Sequence, residues 1–570
     1  MYADDCTIFL EPTDRNLRNA LETLNSFFKI SGLKISVTKT KAIWFGKGFP
    51  NDQRLCPDLT LDWVSQFRLL GVDFDSNLEN MECNFDSKIK DIEKLLNCWI
   101  YRTLTVYGKA VIIKTLALSK LSHLALVLPN LDKRRLKTVE TLFYNFLWGN
   151  KTDKVTRNDT KLNEKAGGLG IVDINSFWLS LKISWIRRIL NTNAFWPVIL
   201  KLTVENVLDY NISMMEILQL GPNMLNFIGK KLKNEFWKGV FCSIRFYMQG
   251  ALFCYPENIS QSPIWDNPIF LKSNKPIKKT SFPTIASKVN TISDFYKPGT
   301  SCTLSKTEFE NKYNVIITDE TLLQFHYIFR MARGTLGLGR ESTTFYPTQP
   351  LLINIANLTK KGCNVYTRLI SKKSNLQRNH SDREQKWHRE LDCTFGTVFW
   401  DKCYSLTASI KNENRMKWLQ FQINRNCLFT NYKVNKFKPA ISPACSFCSH
   451  LEEPPPPEIT SHLFFECDFV LQLWQDVHGW LATFNINLPL NRTQLLFGIH
   501  EQSSNSVENF IIFFTKYYIW KTKFTTKTLL IDSFKHFLKY KLDDLKDACV
   551  FENREDKFRI WRNIYDELLE

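Results

Sequence analysis

The first hundred residues alternate between short apolar runs and helical stripes. Cys6-Thr7-Ile8-Phe9-Leu10 is a continuous apolar run of strand length, and Thr13-Asp14 then offers an N-cap. Leu17, Leu21, Leu24, Phe27 and Phe28 recur at helical spacing until Gly32 supplies a stop. Extended segments return at 41–46, 59–62 and 67–72. Ile89, Ile92, Leu96 and Trp99 then share one helical face, read as ordinary core packing. Residues 191–400 mix helical segments with proline-rich turns around 256–283, and the final stretch, with Tyr517-Tyr518, Trp520 and the Phe534 to Leu538 face, reads as helical. The expected class is therefore α+β, with strands confined to the front and a largely helical remainder. No internal repeat is evident.

Length and composition narrow the partners. At 570 residues the chain has room for three or four units of ~150 residues each. Its 75 Lys plus Arg against 57 Asp plus Glu give a net charge of +18, which favours a phosphate backbone, with a basic but inert surface as the alternative. Basic residues cluster at Lys133-Arg134-Arg135 with Lys137, at Lys230-Lys231 with Lys233, and at Lys372-Lys373 with Arg378. Residues 372–390 read as a charged linker or helix surface first and an RNA contact second. No apolar run reaches the ~18 residues of a membrane span; Phe510 to Phe514 is cut by Thr515-Lys516. The acids at positions 4 and 5 stand where a secretory leader would be basic. Fifteen scattered cysteines read as thiols with one metal site. A cytoplasmic or nuclear chain without a membrane partner is expected.

Two constellations carry chemistry. Tyr2-Ala3-Asp4-Asp5 places adjacent carboxylates beside an apolar run, and paired carboxylates hold the Mg²⁺ ions that clamp both oxygens of a phosphoryl transfer. Cys445-x2-Cys448 and His462-x4-Cys467 supply three thiols and an imidazole, a Cys₃His set suited to tetrahedral Zn²⁺. The second pair is expected about one helical turn apart, the run Pro454 to Pro457 forms a stiff loop between the pairs, and His450 ranks second as a ligand. Gly167-Gly168-Leu169-Gly170 lacks the Gly-Lys-Ser/Thr of a phosphate loop and is read as a tight turn, as are Gly334, Gly337 and Gly339.

In order, these landmarks resemble the later half of a LINE-type, non-LTR retrotransposon reverse transcriptase. The catalytic turn is Tyr2 to Asp5, the loop Gly32-Leu33 to Lys39-Thr40 has Ser36 where Asn is usual, and Leu69-Leu70-Gly71 stands for the Tyr-Leu-Gly primer grip. Leu104 to Lys109, Phe146-Leu147-Trp148 and the 167–170 glycines resemble the family thumb. Trp418-Leu419-Gln420-Phe421, Thr430-Asn431 and the Cys/His run resemble its C-terminal segment.

The resemblance implies a partial palm at 1–80, a helical thumb at 81–190, a connecting region of unclear role at 191–400, a Cys/His zinc segment at 401–500 and a helical end at 501–570. It implies that Asp4 and Asp5 hold Mg²⁺, that Lys39 sits near the leaving pyrophosphate, and that Tyr2, Phe67, Arg68, Leu70 and Gly71 meet the primer. Lys109, Lys417, Arg425 and Lys433 become phosphate contacts. Template RNA and primer DNA are the expected partners, and dNTPs the only small-molecule substrates. The third palm carboxylate and the fingers have no counterpart after Met1, so the chain alone is expected not to polymerise. Two alternatives stand beside this: a nucleic-acid-binding remnant acting through the thumb and Cys/His segment, and an active polymerase whose reading frame extends upstream.

Overall fold

The computed structural model describes the chain apart from residues 1–5, 35, 46–54, 60, 79–80, 190–193, 209–210, 212–213, 220–221, 249–263, 266–269, 273–274, 298–302, 336–381, 411–412, 452, 501–505 and 570. It is mostly helical, with 63% helix against 4% strand. Strands among the described residues form three separate two-stranded ladders. Cys6 to Leu10, expected as a strand, runs as irregular chain with Phe9 81% exposed. A strand needs a ladder partner, and hydrophobicity alone does not provide one.

The chain divides into two compact units. One comprises residues 1–95, 119–139 and 178–365, the other 96–118, 140–177 and 366–570.

In the first unit the helix Asp14–Ser31 follows the sequence pattern closely. Thr13 Oγ1 accepts from the Asn16 amide, and Gly32 ends the helix in the left-handed region. Yet none of its residues is fully buried. Lys41–Ala42 pairs in parallel with Asp62–Trp63, and Trp44 stacks on Trp63. Gln66–Leu69 and Val72–Asp75 make an antiparallel hairpin, with Leu69 opposite Val72. Its two turn residues, Leu70 and Gly71, both have positive φ, 48° and 79°, as a two-residue turn matching strand twist requires.

Helical packing dominates the rest of that unit. Arg135 forms a bidentate pair with Asp86 and also bonds Asp132 and Glu82. This member of the basic cluster at 133–137 is therefore engaged internally, not held out for phosphate. Trp185 meets Trp196, Phe236 and Trp237 edge-on and donates to the Leu126 carbonyl. Lys182 is wholly buried beside it, with its ammonium on the Leu128 carbonyl and over the Phe236 ring. Between 264 and 329 a smaller aromatic core closes around Phe325, which touches Trp265, Phe282, Phe295 and Phe329.

In the second unit a large core runs from Trp387 to Tyr565 and takes in Trp400, Trp474 and Phe497. Helix Asn414–Asn424 threads it and is buried at almost every position from Met416 onward. Two of its polar residues are paired inside: Gln420 donates to Asn424 Oδ1 and the Leu496 carbonyl, and Asn424 donates to Thr407 Oγ1. The 167–170 glycines form the expected turn. A Cβ on Gly168 would lie 1.9 Å from the Leu162 carbonyl oxygen, and one on Gly167 would meet the Tyr404 ring and the Arg425 guanidinium.

Candidate metal centre

Cys445, Cys448, His462 and Cys467 are all buried in the second unit, and their ligand atoms lie within 4.8 Å of one another. Two local structures bring them together. On the first side, Cys445 donates its amide to the Pro456 carbonyl and Glu458 donates to the Pro443 carbonyl. The Ala444–Pro457 bridge thus folds the proline run back over the Cys-x2-Cys turn.

On the second side, His462–Glu466 is a π-helical turn, closed by the Cys467 amide on the His462 carbonyl at 3.0 Å. In an α-helix residues five apart would point about 140° apart. The wider turn swings both ligands to one side, a use of the π-bulge seen often at functional sites. The expected helical turn between the pair is present, in this wider form.

The donor set fits a metal ion such as Zn²⁺. The Cys445 and Cys467 sulfurs are 3.9 Å apart, and Cys448 Sγ lies 3.3 Å from His462 Nε2. A tetrahedron of Zn–S bonds about 2.3 Å long has edges of about 3.8 Å. Hydrogen bonding with Cys467, and then with His462, holds the Cys445 thiol well below its ordinary pKa despite burial. Burial opposes the His462 cation, but the bond to and charge of Cys445 outweigh it and raise the imidazole. The pocket favours an anionic sulfur, as a bound cation requires. His450, the second-ranked ligand, is exposed and leans on Phe469 instead.

Beneath the ligands lies a buried carboxylate that no sequence signal marked. Glu458 has no exposed surface. One of its oxygens accepts from the Asn431 amide and pairs with buried Lys523, and the other accepts from the Ser446 amide and hydroxyl. Asn431 in turn donates to the Ala444 carbonyl and to Ser446 Oγ. Ser446 stands between the two cysteines of the first pair, so the network sets the ligand loop from behind.

No known protein-family model matches the chain.

The remaining candidate residues fall into three groups. Tyr2, Asp4 and Asp5 lie outside the described residues. Lys39 is exposed at the end of the 3-10 turn Val37–Lys39. Phe67 stacks on Phe74 within the hairpin and Arg68 faces Asp73 at 3.9 Å, while Leu70 is 53% exposed at the tip. Lys109 is half-buried over the Phe146 ring, and burial, then the charge of Lys154, lowers its pKa.

Lys417 and Arg425 are corrected. Both are buried; Lys417 pairs with Glu164 at 2.5 Å and lies over the Tyr107 ring. Arg425 donates through two nitrogens to the Gly167 carbonyl and rests on the Tyr404 ring. They tie the glycine turn to the helical core and leave no guanidinium or ammonium facing solvent for phosphate. Lys433 similarly donates to the Asn426 carbonyl and side chain. Among the described residues no single helix is long and apolar enough to cross a membrane.

Proposed function

We propose that the chain carries the catalytic-turn, primer-grip and thumb segments of a non-LTR retrotransposon reverse transcriptase, together with a Zn²⁺-organised Cys/His segment that binds nucleic acid. The polymerase part rests on the sequence landmarks in order. Its structural support is the hairpin tip. Leu70 is a branched residue held in the left-handed region, where Asn or Gly would be less strained, and it is exposed. Strain kept at an exposed tip suits a residue that touches a ligand, and the family places the primer there.

The observation that carries the nucleic-acid reading of the second unit is the buried Cys₃His set within a chain of net charge +18. Four protein ligands would leave a bound metal no open coordination position, so its work would be to hold the surrounding chain in shape rather than to activate water. In a polymerase of this family Asp4 and Asp5 would hold Mg²⁺, which supplies charge neutralisation at the transferring phosphate, and Lys39 would serve the leaving group.

Filter binding of labelled RNA across a salt series tests the reading. A steep fall of affinity with salt, with further loss on changing Cys445 and Cys448 to serine, is expected. Absent binding, or binding indifferent to the cysteines, would sink it. Poly(A)-templated primer extension abolished by Asp4→Asn would add catalytic competence.

A further inference from the structure

We propose that the exposed rings of Phe429, Tyr432 and Phe437, with the lysines against them, form a binding face for single-stranded nucleic acid, and that the metal knuckle holds this face in place. The proposal rests on the nucleic-acid reading above and narrows it to one strand state and one surface of the second unit.

Phe429, Tyr432 and Phe437 are 41%, 38% and 57% exposed. Rings of that size left in solvent are a loss unless something covers them. Phe429 and Phe437 meet edge to face at 5.8 Å, so they form one continuous aromatic surface. Cations are set directly against it: Lys154 Nζ lies 5.5 Å over Phe429 and 5.7 Å over Trp418, and Lys436 Nζ lies 4.6 Å over Tyr432. Lys109 and Lys151 are near enough to Lys154 to add like charge.

Accumulated cations beside exposed rings match a polyanion whose flat groups are accessible. A duplex hides its bases in the stack, whereas a single strand can lay bases on the rings and phosphates on the lysines.

The face is tethered to the metal site. Asn431 opens the short helix Asn431–Asn435 that carries Tyr432 and leads into Lys436 and Phe437. Its amide bonds Glu458, and its side chain bonds Ala444 and Ser446, on both sides of Cys445. These bonds fix the start of the helix that carries Tyr432 to the ligand loop.

The test uses the full metal-loaded chain with a labelled oligouridylate and an RNA duplex of equal length. Phe429→Ala and Phe437→Ala should each weaken single-strand binding about tenfold and leave duplex binding unchanged. Zinc content should not move, and thermal unfolding should fall only by the loss of one surface ring pair. Lys436→Gln should flatten the salt dependence, and Asn431→Ala should weaken single-strand binding with the metal retained. Unchanged single-strand affinity in the ring variants, or equal loss on the duplex, would overturn the face. If the wild-type chain binds neither RNA, the broader reading fails. If it binds both but ignores the ring changes, only this proposal fails.

Discussion

Two helices end in conditions opposite to those their sequences suggest. Asp14–Ser31 has a clean apolar stripe, a good cap and a glycine stop, yet none of its residues is fully buried. Asn414–Asn424 carries Lys417, Gln420, Gln422 and Asn424 along its length, yet it lies inside a core, with nearly every residue covered. A stripe states what a helix could bury; only packing partners decide what it does bury. The polar helix can lie in the interior because Lys417, Gln420 and Asn424 each find a partner there, in Glu164, the Leu496 carbonyl and Thr407, all outside the helix itself.

The contrast predicts where the molecule is fragile. Removing the metal, by chelation or by Cys445→Ser with Cys448→Ser, should have the largest effect. Structural Zn²⁺ sites supply folding free energy outright. Loss of several kcal/mol would lower the unfolding temperature of the second unit by about 10–20 °C. Calorimetry should show the first unit's transition unmoved; a uniform shift of the whole chain would blur the comparison.

Next comes the buried pair. Glu458→Gln leaves Lys523 charged and uncompensated, and should cost about 3–5 kcal/mol in denaturant unfolding. Adding Lys523→Met should recover much of that loss, since the unpaired charge is gone. A double variant no better than the single would remove the pair from the account.

A third change probes the first unit through pH. Burial lowers the Lys182 pKa from 10.5 to about 7. The folded value is the lower one, so between these limits the unfolded chain holds a proton that the folded chain lacks. Stability should therefore rise with pH through that window, by on the order of a few kcal/mol, and be flat below it. Lys182→Met should erase the rise when the first unit's unfolding is followed by urea titration at successive pH values. A slope that survives would place its source elsewhere.

The smallest effect belongs to the hairpin. Leu70→Asn relieves left-handed strain and should stabilise the tip by about 1 kcal/mol, read as slower amide exchange in the Gln66–Asp75 ladder. Faster exchange would argue that the leucine side chain holds the turn.

Much of this was legible in sequence, and the misses share a cause. Thr13 and Gly32 fixed the first helix because capping is local, and the Cys/His set was readable because each ligand pair is close in the chain. Gly167 to Gly170 form the tight turn the sequence predicts, whereas Gly334, expected in the same kind of turn, lies inside the helix Asp319–Thr335, and Gly337 and Gly339 lie outside the described residues. Glu458 was invisible because its partner Lys523 lies 65 residues on. The resemblance makes Lys417 and Arg425 phosphate contacts, and their burial is hidden from the sequence for the same reason: their partners, Glu164 and Gly167, are about 250 residues away. Cys6 to Leu10 was misread because apolar content was visible and the lack of a ladder was not.

The central claim is that the buried Cys₃His set binds one structural metal ion and thereby orders the second unit. Cobalt substitution of the purified full chain tests it most directly. One equivalent of Co²⁺ should give the intense visible absorption of a tetrahedral thiolate site, displaced by Zn²⁺ and lost in Cys448→Ser. Absence of that spectrum in folded chain, or its persistence in Cys448→Ser, would contradict the account.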